Sequence, residues 1–116
     1  MCIFCDIVNK KSPAKILYED EEVIAFPDIN PSLPVHILII PKKHIPSANE
    51  ISPADQKTLG KMITVAKNLA KKNQIAEAGY KLIINCGKAA GQIIPHLHLH
   101  LLGGGPMTNQ TLKKKN

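Results

Sequence analysis

The chain has 116 residues, 44% apolar and 21% charged, enough for one compact domain with its own core and too few for two. No apolar run approaches the ~20 residues of a spanning helix, and the opening Met-Cys-Ile-Phe-Cys lacks a charged leader, so a cytoplasmic protein is expected. Net charge is +6 with every basic residue a Lys, so a phosphate site here lacks the guanidinium fork and must use His, Lys, backbone N–H groups or a metal.

Cys2 and Cys5 form a Cys-x-x-Cys pair at the start of the chain. Redox pairs of this spacing follow a strand and open a helix, and three Cys do not make a disulfide framework. Metal ligation is the sharper reading if two more ligands exist; small buried hydrophobes are the plain one. Ile16–Glu19 and Val23–Phe26, parted by the acidic Asp20-Glu21-Glu22, predict a hairpin. Val35 to Ile40 predicts a central strand apolar enough to be covered on both faces, ended by Pro41.

Ser52-Pro53-Ala54-Asp55 supplies an N-cap, a Pro at the first helical position and an acidic third residue. Leu59, Met62, Ile63, Ala66, Leu69 and Ala70 follow at helical spacing, predicting a helix from Pro53 to Asn73. Lys57, Lys61, Lys67, Lys71 and Lys72 lie between them and read as its solvated face. With only two Phe, two Tyr and no Trp for stacking, that charge argues against a single-strand nucleic-acid binder. Tyr80–Asn85 and Ile93 to Leu102 predict the last two strands, the second stopped by Gly103-Gly104-Gly105-Pro106. Five strands and one long helix in this order give an α+β class with an antiparallel sheet.

His96-Leu97-His98-Leu99-His100-Leu101 falls in the last strand. A side-chain period of two puts the three His on one face and the three Leu on the other, towards helix and core. Packing alone rarely requires three adjacent imidazoles. Two chemistries fit: metal binding by His-x-His with a third ligand, or covalent catalysis by a neutral imidazole that attacks phosphorus while its neighbours donate to the phosphoryl oxygens.

His-Leu-His-Leu-His-Leu-Leu-Gly-Gly, with Gly91-Gln92 upstream, resembles the signature of the histidine-triad (HIT) family. Cys2-Ile-Phe-Cys-Asp-Ile-Val, Ala25-Phe-Pro-Asp-Ile29 and His36-Ile-Leu-Ile-Ile-Pro-Lys-Lys-His44 are similar to its Hint-like nucleoside phosphoramidase branch, over roughly residues 2 to 104. The resemblance implies a HIT-like fold: a five-stranded antiparallel sheet, one long helix and a short N-terminal helix. The HIT domain would span 1–105, with a flexible Lys-rich tail over 106–116. It also implies a homodimer with sheets joined across the interface, and a purine nucleotide substrate, an AMP or GMP derivative.

By the same resemblance the catalytic set is His98 as nucleophile, His100 on the α-phosphate, His96, and His36 as the supporting fourth histidine. Asn85 matches the polar residue near the phosphate, Gly91-Gln92 the loop with its backbone donor, and Asp28 the carboxylate for the ribose hydroxyls. Ile3, Phe4, Phe26 and Ile29 match the walls of the base pocket, for which core packing is an equal reading. Cys2, Cys5, His44 and His96 match a structural zinc set, with no catalytic metal or organic cofactor expected. One position departs: after Gly91-Gln92 many relatives carry Ser, able to protonate a leaving nitrogen, where this chain has Ile93. Rival activities are dinucleoside polyphosphate hydrolysis, nucleotide-binding regulation with residual hydrolysis, and zinc-dependent hydrolysis with the triad as ligands.

Overall fold

A computed structural model describes residues 2–107. A short helix α1 (Ile3–Val8) is followed by β1 (Tyr18–Glu19), β2 (Val23–Pro27) and β3 (Val35–Pro41). The long helix α2 (Gln56–Lys72) comes next, then β4 (Tyr80–Ile83) and β5 (Leu99–Gly103). The five strands form one antiparallel sheet in the order β1-β2-β3-β5-β4, so the strand predicted to be central is central. This is the expected α+β architecture. Of the tail expected over 106–116, residues 108–116 lie outside the described residues.

Alternation along the central strands sends two apolar sets in opposite directions. Val23, Ala25, Ile37, Ile39, Leu99 and Leu101 pack with Met62, Val65, Ala66, Leu69 and Ala70 of α2. Ile24, Phe26, Leu38 and Ile40 pack on the other face with Phe4 and Ile7 of α1. One helix face of the sheet is thus structural, and the other carries the histidines. Within α2 the inward residue is Val65 rather than the expected Ile63, which is 45% exposed. Val65 lies three residues after Met62 and four before Leu69, inside the buried stripe, whereas Ile63 falls beyond its edge.

The start of α2 follows its sequence. Pro53–Asp55 forms a 3-10 turn, and the Asp55 carboxylate accepts from the Ser52 N–H at 2.9 Å and from its hydroxyl at 3.1 Å. Lys61 is not merely solvated: it pairs with Glu22 at 2.7 Å and Asp20 at 3.3 Å, tying α2 to the acidic hairpin turn. That turn is folded by the Asp20 carboxylate, which accepts the N–H groups of Glu22 and Val23.

Three strands are shorter than expected. β1 keeps two residues, although Leu17 N–H still reaches the Ala25 carbonyl at 2.8 Å. β4 ends at Ile83, before Asn85. β5 starts at Leu99, not Ile93, because its last partners on β3 and β4 are Ile39 and Ile83. Upstream of Leu99 the chain is held by other bonds: Leu97 N–H to the Ile45 carbonyl at 2.6 Å and His96 N–H to the Ile94 carbonyl at 2.8 Å. Pro95 has no N–H to give a ladder. His96 and His98 therefore precede the regular strand.

Candidate active site

Although only His100 of the triad lies in β5, all three rings fall on the α1 side. Leu99 and Leu101 point the other way, into the α2 core. The His98 and His100 rings have centroids 4.9 Å apart, and Phe4 meets His98 at 5.1 Å and His96 at 6.0 Å. All three histidines are buried, as are His36 and Asp28.

Hydrogen bonds define which nitrogen of each ring carries a proton. A carbonyl can only accept, so His98 donates from Nδ1 to the His96 carbonyl at 2.6 Å, which leaves the lone pair of the neutral ring on Nε2. His36 Nδ1 accepts from the Ser32 N–H at 2.9 Å, so its proton is on Nε2. That Nε2–H lies 2.9 Å from His100 Nδ1 and 3.4 Å from the Asp28 carboxylate. His100 Nδ1 is then an acceptor, and its proton sits on Nε2. Burial, then the neighbouring His98 and His36, push the His100 pKa down to about 3, so the ring stays neutral.

His100 Nε2 and Asn85 Oδ1 are buried atoms without a hydrogen-bond partner among the described residues. Burying an unpaired donor or acceptor costs about 1–3 kcal/mol, so such atoms mark places where a ligand completes the structure. Both belong to residues expected in the substrate site. Asn85 uses its other end, Nδ2, to hold the Ala90 carbonyl at 2.9 Å.

The expected base-pocket residues come together. Ile3, Phe4, Phe26, Asp28 and Ile29 line one cavity of about 280 Å³, which Leu38 and Ile94 help to close. Phe4 reaches His98, and Asp28 reaches His36, so this cavity adjoins the histidine cluster through two shared residues. Asp28 is fixed by its own loop: Oδ1 accepts from the Asn30 N–H at 2.8 Å, as an Asp two residues before a turn residue does. Ile29 is 92% exposed and stands at the rim.

Gly91 and Gln92 are placed differently from a simple ligand contact. Gly91, at φ 92°, closes the Lys88–Ala90 turn, with its N–H on the Lys88 carbonyl at 3.0 Å. The Gln92 side chain accepts from Gly87 N–H at 2.9 Å and donates to the Pro46 and Ile94 carbonyls at 2.8 and 3.0 Å. It staples the loop that delivers the histidines. Ile93, beside it, is 66% exposed. Sequence reasoning missed Ser32 and Pro41, because backbone atoms that set a tautomer leave no residue-type signal.

Cys2, Cys5, His44 and His96 lie close enough to hold one metal ion. The sulfurs are 3.4 Å apart, His44 Nδ1 and His96 Nδ1 are 3.2 Å apart, and the sulfur–nitrogen separations run from 3.1 to 3.9 Å. Tetrahedral bonds of about 2.3 Å to sulfur and 2.0–2.1 Å to nitrogen require edges of roughly 3.3–3.8 Å. The set fits. His96 donates from Nε2 to the Pro41 carbonyl at 2.8 Å, which turns the lone pair of Nδ1 towards the other three ligands.

The family model described as "Scavenger mRNA decapping enzyme C-term binding" matches residues 1–115. The purine nucleoside phosphoramidase of Escherichia coli is 48% identical over 105 residues, spanning 90% of this chain and 88% of that protein. A HIT family hydrolase from Legionella pneumophila superposes with a TM-score of 0.92 at 42% identity, over 96% of this chain and 99% of that one. Another from Clostridium thermocellum gives 0.90 at 50% identity, over 96% of each. With its signature residues brought together on one sheet face, the chain belongs to the histidine-triad family of hydrolases.

Proposed function

We propose that this hydrolase cleaves purine nucleoside phosphoramidates, or related nucleotidyl compounds, through a nucleotide bound covalently to His98. The observation that carries the reading is the pairing of a lone pair on His98 Nε2 with an unpartnered Nε2–H on the adjacent His100. One is a nucleophile without a proton to lose, the other a buried donor without an acceptor. A phosphoryl group on His98 would bring an acceptor oxygen to that His100 donor.

In the first step His98 Nε2 forms a bond to the α-phosphorus and the P–N bond to the leaving amine breaks. The His98 ring keeps its Nδ1 proton and becomes cationic, a charge the His96 carbonyl faces at 2.6 Å. His100 Nε2–H donates to a phosphoryl oxygen, held in that tautomer by His36, which Ser32 and Asp28 hold in turn. The amine takes its proton from water, since Ile93 has none to give. In the second step the hydroxide left by that protonation adds to the phosphorus, the bond from His98 Nε2 to phosphorus breaks with its electron pair returning to Nε2, and the nucleoside monophosphate leaves with His98 restored. The ribose hydroxyls fit Asp28, and the base fits the apolar cavity walled by Ile3, Phe4, Phe26 and Ile29.

Zinc is the metal that two thiolates and two imidazoles in tetrahedral reach select. Cys2, Cys5, His44 and His96 would hold it, and it would supply a cross-link between the N-terminus and the catalytic segment. A homodimer is supported by the open side of edge strand β4. No helix among the described residues is long and apolar enough to cross a membrane. The test is release of AMP from an adenosine phosphoramidate: the wild-type protein turns over, and His98→Ala falls to background. Full turnover by His98→Ala ends the proposal.

A further inference from the structure

Phe4 lines the cavity, yet its ring is placed for a second task. It is 3% exposed and sits one residue before Cys5 and two after Cys2. Its ring stands at 82° to the His98 imidazole at 5.1 Å, at 74° to His96 and at 66° to Phe26. Edge-to-face packing of this kind has a preferred geometry, unlike the contact of an aliphatic chain. The bond from His98 Nδ1 to the His96 carbonyl fixes one atom of the imidazole. The plane of the ring, which decides where the Nε2 lone pair points, also depends on what packs against it. Phe4 supplies one such contact and the His100 ring, at 64°, another.

We propose that Phe4 is a positioning residue for His98, holding the imidazole plane so that Nε2 stays on the line of attack at phosphorus. The inference rests on the reading of His98 as nucleophile. It gives α1 a role beyond walling the base, because the two cysteines that tie the helix down flank Phe4 in one turn. Reaction rate depends steeply on such alignment, with misplacements of about 1 Å able to cost 10²-fold.

The experiment compares wild type with Phe4→Leu, which keeps an apolar wall and removes the ring. A positioning role predicts that the single-turnover rate of nucleotidyl-histidine formation falls about tenfold while KM for the adenosine phosphoramidate changes less than about threefold. It also predicts that the imidazole ¹⁵N signals of His98 shift and broaden. A raised KM with unchanged rate and unmoved His98 signals makes Phe4 a wall only and overturns the inference. Should Phe4→Leu not fold, pentafluorophenylalanine at this position keeps the ring's size and reverses its quadrupole, with the same two outcomes read from rate and signals. If wild type forms no nucleotidyl-histidine at all, the nucleophile reading fails. That result ends the positioning role along with it, whereas a wild-type adduct with rate and His98 signals unmoved in Phe4→Leu overturns the positioning role alone.

Discussion

His36 shows how little chemistry is needed to set a reactive pair of rings. One backbone N–H, from Ser32, fills its Nδ1, and every tautomer from there to His100 follows. His98 is set separately, by a carbonyl two residues back. In the proposed mechanism a chain without Arg obtains its hydrogen-bond donor to the phosphoryl group from a neutral imidazole, directed by its hydrogen bonds. Ile93 is the residue where the chemistry is least complete. It is 66% exposed, so a polar replacement disturbs no core. Ile93→Ser is expected to raise turnover of an adenosine phosphoramidate by supplying a hydroxyl proton near the leaving nitrogen; steady-state assays of AMP release check it. Unchanged or lower turnover would show that protonation of the amine does not pass through this position.

At the scale of elements, α1 is the part that a metal on Cys2, Cys5, His44 and His96 would anchor. It has six residues, too few to be stable alone, and is secured by Phe4, Ile7 and the Cys/His set. Metal removal by a chelator is expected to destabilise the protein by about 2.7 kcal/mol if zinc is held a hundredfold above its Kd, with restoration on adding zinc. Thermal melts with and without chelator measure this, alongside zinc content near one per chain. Identical melts and no zinc would leave Cys2 and Cys5 as packing residues.

The elements were legible to differing degrees for physical reasons. The α2 start was plain because Ser52, Pro53 and Asp55 each act through local bonds. The β5 start was not, because alternation of His and Leu continues through His96 and His98, where the backbone partners are the Ile94 and Ile45 carbonyls rather than a ladder. Alternation reports which way side chains point, and that survived; it does not report what the backbone bonds to. The grouping of Cys2, Cys5, His44 and His96 came through family resemblance, since no spacing rule joins residues 94 positions apart. The staple role of Gln92 was invisible, as an amide side chain carries no sign of whether it faces a ligand or its own loop.

For the molecule as a whole, the sheet separates work between its faces. One face and α2 supply an aliphatic core; the other carries buried polar rings that an unfolded chain would leave in water. That arrangement makes stability depend on pH. Unfolded, His100 binds a proton near pH 6.5; folded, burial and then His98 and His36 push its pKa to about 3. Between those values the unfolded state holds more protons, so stability falls as pH drops below about 6.5. At pH 5 His100 alone accounts for about 2 kcal/mol, readable from urea denaturation midpoints at pH 7.5 and 5. His100→Gln should reduce that dependence without removing it, since burial also pushes the His96 pKa down to about 4; an unchanged slope would place the titrating group elsewhere.

In the proposed reaction the nucleotide passes through His98. Incubation with an adenosine phosphoramidate, a quench in base to preserve a P–N bond, and peptide mass spectrometry test it directly. An AMP adduct is expected on the peptide carrying His98, transient in wild type and missing in His98→Ala. Turnover with no adduct at any time, or an adduct on another residue that persists in His98→Ala, would contradict it.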